Sequence, residues 1–187
     1  MSMSTSSKGR PRKEESRQQI LEAAFSLMLE SGYPAMSIEA VARTAKVGKT
    51  TIYRWWRSRA HLAIDAFFEV TKHSIEFPDT GSAAEDIRVQ VHRLADLLRA
   101  EEGGVILSLV MGSKFDPDLR KELFESWIKP RKIWGVQKLS QLNPPNVDVA
   151  LNSLYGPLYA PLLFGLAPLG REEVDLHLDL FFRGLQP

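Results

Sequence analysis

Apolar positions recur at the i, i+3, i+4, i+7 spacing of a buried helical face in segment after segment of this 187-residue chain, which predicts an all-α fold. A first helix is expected from Ser16, or already from Lys13, with Ile20, Ala24, Leu27 and Met28 inward and Leu21 and Phe25 widening that face. Ser16 and Gln19 have the spacing of a capping box, and Ser31-Gly32-Tyr33-Pro34 ends the helix, glycine supplying a left-handed exit and proline forbidding continuation. Two short helical patterns follow between Ser37 and Arg59. In the first, Ser37 is a good N-cap and Ile38, Val41, Ala42 and Ala45 share one face. After the turn Lys46-Val47-Gly48, the second begins at Lys49, with Val47 and Ile52 at the two positions of a hydrophobic staple. Ile52 and Trp56, four apart, hold it against the core.

Beyond Ser58, a helix cap, the pattern continues to about Glu76 with Ala63, Ala66, Phe67 and Val70 inward, and Phe77-Pro78-Asp79-Thr80-Gly81 breaks it. Ser82 and Glu85 open a helix through Ile87, Val91, Leu94, Ala95 and Leu98 to a stop at Gly103-Gly104, followed by a short apolar helix from Val105 to about Met111. Asp116-Pro117 reads as N-cap plus first-turn proline of a long helix to about Leu142, bent near Pro130, which removes the amide that would bond to Ser126. Asn146 caps the next helix. From Val147 to Leu166 that segment is apolar almost all round, so it must be covered on every side, and a partner chain is the simple cover; Pro157 and Pro161 would kink or split it. Arg171 to Leu185 forms a last helix.

Ile52 and Trp56 leave Lys49, Thr50, Thr51, Tyr53, Arg54 and Trp55 without a core to enter. A merely solvated face is usually rich in Glu and Lys, whereas hydroxyls, cations and aromatics bond phosphate oxygens and base edges and pack on thymine methyls. The expectation is therefore a helix-turn-helix that binds double-stranded DNA. Gly48-Lys49-Thr50 also spells the end of a phosphate-binding P-loop, but the glycine required five residues earlier is Arg43 and no strand precedes it.

Net charge is only +1, and its distribution is more informative. Residues 1–61 hold eleven Lys and Arg against five Glu, a net +6, and residues 62–187 hold thirteen against eighteen acids, a net −5. A basic head on an acidic body suits DNA binding by the head alone. Lys8, Arg10, Arg12 and Lys13 make residues 1–13 a flexible basic arm, since Gly9 and Pro11 oppose helix. Cysteine is absent, which excludes disulfides and thiolate metal sites and fits a cytoplasmic protein. No apolar run reaches the roughly 18 to 20 residues that span a bilayer, and no secretory signal is expected. His61, His73, His92 and His177 lack metal-ligand spacing, so no metal, cofactor or catalytic constellation is expected.

The run from Arg17 to Leu62, with Ile20-Leu21, Ala23-Ala24, Gly32-Tyr33, Ser37, Val41-Ala42, Ala45, Val47, Thr51, Tyr53 and Trp56, resembles the N-terminal domain of the TetR family of bacterial transcriptional repressors. The resemblance implies a three-helix head whose third helix enters the major groove, and a separate helical body for dimerisation and effector binding. It divides the chain into the arm 1–13, a helix-turn-helix domain 14–57, a connecting helix 58–77 and a body 79–187.

On this reading Ser37, Arg43, Lys49, Thr50, Thr51, Tyr53, Arg54, Trp55, Arg57 and Arg59 touch DNA, the last two at a helix N-terminus suited to phosphate. Met111, Phe115, Phe124, Trp127, Ile128, Trp134, Tyr155 and Tyr159 line an effector pocket for an apolar or aromatic small molecule, although large aromatics at this spacing also serve as plain core. Leu154, Leu158, Leu162, Val174, Leu178, Phe181 and Phe182 join two subunits in a four-helix interface. The expected function is repression from an inverted-repeat operator, relieved by effector. The alternatives are an architectural DNA-binding protein, for which minor-groove wedges are missing, and a helical ligand-binding protein or enzyme with an incidental basic head.

Overall fold

The computed structural model describes residues 9–72 and 77–185, with side chains from residue 13 onward, and these residues form helices and turns with no strand among them. In chain order they are α1 Gly9–Ala35, α2 Ile38–Thr44, α3 Lys49–Tyr53, α4 Arg59–Thr71, α5 Ala83–Arg99, α6 Glu102–Ser113, α7 Pro117–Leu123, α8 Lys129–Ser140, α9 Val147–Leu163 and α10 Arg171–Gly184; a π-helical turn, Phe124–Ile128, joins α7 to α8. Among the described residues no helix is long and apolar enough to cross a membrane.

Most helix starts are set by their own residues. Ser37, Ser58, Ser82, Asp116 and Asn146 each accept from the backbone N–H three residues on, at 3.1, 3.1, 3.4, 3.0 and 3.0 Å, satisfying one otherwise orphaned first-turn donor apiece. At the far end of α1, Gly32 takes φ 73° and ψ 171°, the exit expected of it. The near end corrects the expected arm: α1 already begins at Gly9, because Pro11 falls in the first turn, where amides have no intrahelical acceptor and a missing N–H costs nothing. Lys8, the side chains of Arg10 and Arg12, His73 and the expected end of the connecting helix near Glu76 lie outside the described residues.

Three other local expectations change. Gly103-Gly104 do not stop a helix; they lie in the first turn of α6, and a Cβ on Gly103 would sit 2.2 Å from the Leu98 carbonyl oxygen, so only glycine allows α6 to turn back this sharply after α5. The irregularity before Pro130 is a π turn in which the Lys129 N–H reaches the Phe124 carbonyl; one extra residue per turn absorbs the proline's missing donor. Pro157 and Pro161 lie inside α9, which runs unbroken through both. Pro157 is on the exposed side, where water can serve the carbonyl it leaves unpaired.

One core of buried residues runs from Ile20 to Phe181, so head and body share packing. α1 lies on α4 and α6, and α4 lies on α7. Asp86 is fully buried, held by Lys138 at 2.5 Å and by the Thr80 N–H at 2.6 Å. The Lys138 ammonium keeps that carboxyl below its ordinary pKa, which ties the loop before α5 to α8.

Candidate nucleic-acid interface and effector cavity

α2 and α3 are too short to be stable alone and stand because their inner faces are buried. Ile38, Val41, Ile52 and Trp56 are nearly inaccessible, and the Trp56 indole N–H donates to Asp65 at 2.9 Å. The turn between them places Lys46, not glycine, at φ 54°, while Gly48 is the extended N-cap of α3. With that base fixed, Arg43, Lys49, Thr50, Tyr53, Arg54 and Trp55 are all exposed and Thr51 is half-buried. Tyr53 and Trp55 are 55 % and 38 % accessible, a costly exposure for aromatics unless something covers them. Lys49 rests on Glu39 at 3.1 Å, and that hydrogen bond holds the Glu39 carboxyl below its usual range. The Ser37 hydroxyl is engaged as the cap of α2.

Arg57 and Arg59 also contact the body. Arg57 pairs with Glu122 on α7. Arg59 lies over the Tyr33 ring at 4.1 Å, donates from Nε to the Tyr33 hydroxyl at 3.1 Å and reaches Asp116 at 3.1 Å, while the Tyr33 hydroxyl itself donates to Asp116 at 2.6 Å. Burial works to raise the Asp116 pKa, but donors from Tyr33, the Leu119 amide and Arg59 outweigh it and hold the carboxyl low. Burial first, and then Asp116, push the Tyr33 hydroxyl well above its ordinary value. Arg59, expected to touch phosphate, is engaged in a seam between head and body, closed by residues 57 to 83 positions apart in sequence. Arg59→Ala should therefore lower stability by about 1–2 kcal/mol through the lost ring contact and hydrogen bonds, and leave the salt dependence of DNA binding unchanged; a slope reduced by about one would assign Arg59 to phosphate instead. Because the Asp116 pKa is depressed, its contribution to this seam is present at neutral pH and is lost only as pH falls below the ordinary carboxylate range.

In the body, a cavity of about 350 Å³ opens between α5, α6, α8 and α9 and the π turn. Four of the expected pocket residues line it: Trp127, Ile128, Tyr155 and Tyr159. The other four do not. Met111, Phe115 and Phe124 are 51 %, 82 % and 46 % exposed, and Trp134 stacks on Phe77 with centroids 5.1 Å apart. Arg131 lines the cavity too. Gly135 makes room beside it: a Cβ there would meet Leu151 at 2.6 Å. Tyr155 donates to the buried Gln90 at 2.8 Å, and burial raises the pKa of both Tyr155 and Tyr159.

The expected interface residues are mostly interior to the single chain. Leu154, Leu158, Val174, Leu178 and Phe181 are buried and Leu162 and Phe182 partly so, because α9 and α10 turn these faces onto their own body. The outward faces carry Val149, Leu176 and Leu180, and Phe164 and Leu166 follow the end of α9, all at 58 % to 79 % exposure. His92 meets Asp175 at 2.9 Å and His177 meets the Leu154 carbonyl at 2.9 Å, joining α10 to α5 and α9. Among the described residues no group of three or more His, Asp or Glu is arranged to hold a metal.

An exposed polar and aromatic helix on a buried two-helix base, joined to an all-helical body with a cavity, defines a helix-turn-helix transcriptional regulator. The family model described as bacterial regulatory proteins, tetR family, matches residues 20–66, and the tetracyclin repressor-like C-terminal domain matches residues 77–181. The chain is 34 % identical to the HTH-type transcriptional regulator YdeS of Bacillus subtilis (strain 168) over 97 % of its own length and 95 % of that protein's. The crystal structure of the TetR family transcription regulator SCO0332 superimposes with a TM-score of 0.70 at 28 % identity, over 92 % of this chain and all of the other. FadR from Bacillus subtilis, in complex with stearoyl-CoA, does so with 0.68 at 18 %, over 90 % and 99 %, a likeness of fold alone. The chain belongs to the TetR family.

Proposed function

We propose that the protein is a homodimeric repressor that binds an inverted-repeat operator and is released from it by a small molecule taken into the body cavity. The observation that carries the DNA half is the outward cluster of Lys49, Thr50, Tyr53, Arg54 and Trp55 over a base closed by Ile52 and Trp56. These side chains enter the major groove from two subunits one turn of DNA, or a multiple, apart, while Arg43 meets phosphate and Ser37 keeps α2 in position by its cap. Lys49 exchanges Glu39 for the nucleic acid. Dimerisation falls to the outward apolar faces of α9 and α10, because one short recognition helix reads too few base pairs for useful specificity.

The release half is supported by the cavity and by what its wall touches. The Trp127 ring meets Phe67 edge-on at 5.0 Å and Phe68 at 5.9 Å, both on α4, the helix that follows the recognition helix. A molecule that moves Trp127 therefore pushes on the element that sets the angle of the head. FadR, which has the same fold, forms a complex with stearoyl-CoA.

The test starts from an operator recovered by binding selection. Lys49→Ala and Tyr53→Ala should each weaken binding to it about 5- to 150-fold, the range of one lost specific contact at about 1–3 kcal/mol, with melting temperature unchanged. Unaltered affinity in both variants would refute the recognition surface, and a selection that returned no sequence preference would favour an architectural protein.

A further inference from the structure

Arg131 is the one side chain of the cavity wall whose surroundings do not balance its charge. It lies flat on Trp127, 3.3 Å from the ring centroid, and one terminal N–H donates to the Trp127 carbonyl at 2.9 Å. That carbonyl belongs to the π turn, so the backbone irregularity beside Pro130 also fixes the arginine. The Nε–H is buried without a hydrogen-bond partner, and among the described residues no carboxylate pairs with the guanidinium. The one acid on the cavity wall, Asp148, is largely exposed and joined to Lys132 at 3.2 Å. Burial brings Arg131 down to about 10, so at neutral pH it still carries its charge.

An unpaired cation among Leu94, Ile106, Val110 and Leu151 is costly until an anion joins it. The edge of a guanidinium that carries Nε–H engages a planar carboxylate by two parallel bonds. With one terminal nitrogen already given to Trp127, that edge is the one left without a partner, and its buried Nε–H meets a carboxylate once the guanidinium turns toward the cavity. Beyond Arg131, Lys132 and Asp148, the wall is apolar apart from Asn152, Tyr155 and Tyr159.

We propose that the cavity recognises an apolar monocarboxylate, with Arg131 as the residue that selects for the acid group. This rests on the reading of the cavity as the effector site and names the effector's class. At about 350 Å³ the cavity has about twice the space that accepts a benzene molecule, room for a carboxylate on a hydrocarbon body of roughly ten to fifteen heavy atoms.

The experiment uses the full chain and two matched pairs of probes, decanoate with 1-decanol and 1-naphthoate with 1-naphthamide, followed by calorimetry and thermal shift. At least one acid should bind ten-fold or more tighter than its neutral partner. Arg131→Met should abolish that preference and leave the neutral probes as they were, with Arg131→Gln, neutral but polar, doing the same should the methionine variant fold poorly. Arg131→Lys should keep part of it, having the charge without the two-pronged edge. Equal binding of acid and neutral partner, a preference that survives in the Met and Gln variants, or binding of none of the four probes would overturn the assignment. Operator release separates the two ideas: acids that bind through Arg131 yet leave DNA bound uphold the carboxylate site and sink the effector reading. Release by the neutral probes alone does the reverse.

Discussion

Replacing Leu176 and Leu180 together by aspartate is expected to turn the proposed dimer into a folded monomer. Both leucines lie one helical turn apart on the outer face of α10, each 58 % exposed, while Val174, Leu178 and Phe181 on its inner face are buried. The double change therefore spares the core. Burial of a leucine contributes about 1.5–3 kcal/mol, and a two-fold axis brings each residue to the interface twice, so the dissociation constant should rise about a thousand-fold or more. Aspartates facing their own copies add repulsion. Operator binding should fall at least about a hundred-fold as two linked heads become one. Sedimentation equilibrium with circular dichroism reads the first effect, and a dimer persisting at micromolar concentration would place the interface elsewhere. Leu178→Asp offers the contrast: it should unfold the body, since that side chain is fully buried within its own chain.

Trp56→Ala is expected to cost about 3–5 kcal/mol, the usual range for truncating a buried tryptophan, which is a large part of the stability of a protein this size. Trp56 is 1 % exposed, donates to Asp65 at 2.9 Å and lies 5.9 Å from the Arg17 guanidinium, so it joins α1 and α4 beneath the end of α3. Its removal leaves the five residues of α3 without their floor. Melting temperature and operator affinity should fall together, and Trp56→Phe should restore most of the packing without the hydrogen bond. Trp55→Ala, one position away and outward, should leave the melting temperature unchanged and weaken DNA binding alone. If both alanine variants behaved alike, the division of this pair into floor and reading face would be wrong.

What could be foreseen here followed the range of the interactions. Caps at Ser37, Ser58, Ser82, Asp116 and Asn146 reach three residues, and the floor of the recognition helix is declared by Ile52 and Trp56 four apart. Misjudged features depend on distant partners. The glycine pair at 103–104 resembles a helix stop until the closeness of Leu98 is known. The long apolar helix α9 is apolar on nearly every side, so it has no periodic signal to tell the face that meets its own body from the face that points outward.

From local order alone, the chain determines an all-α fold, the places where most helices begin, and a head whose reading face is polar, cationic and aromatic, since each of these is written within one or two helical turns. Only tertiary packing decided that Arg59 closes a seam with Tyr33 and Asp116, that Leu154 and Leu178 are interior while Leu176 and Leu180 are not, and that Arg131 is held against Trp127 with no carboxylate partner among the described residues. Those outcomes depend on which surfaces meet when residues tens of positions apart are brought together, and burial changes what a charged or apolar side chain is worth by more than its identity does.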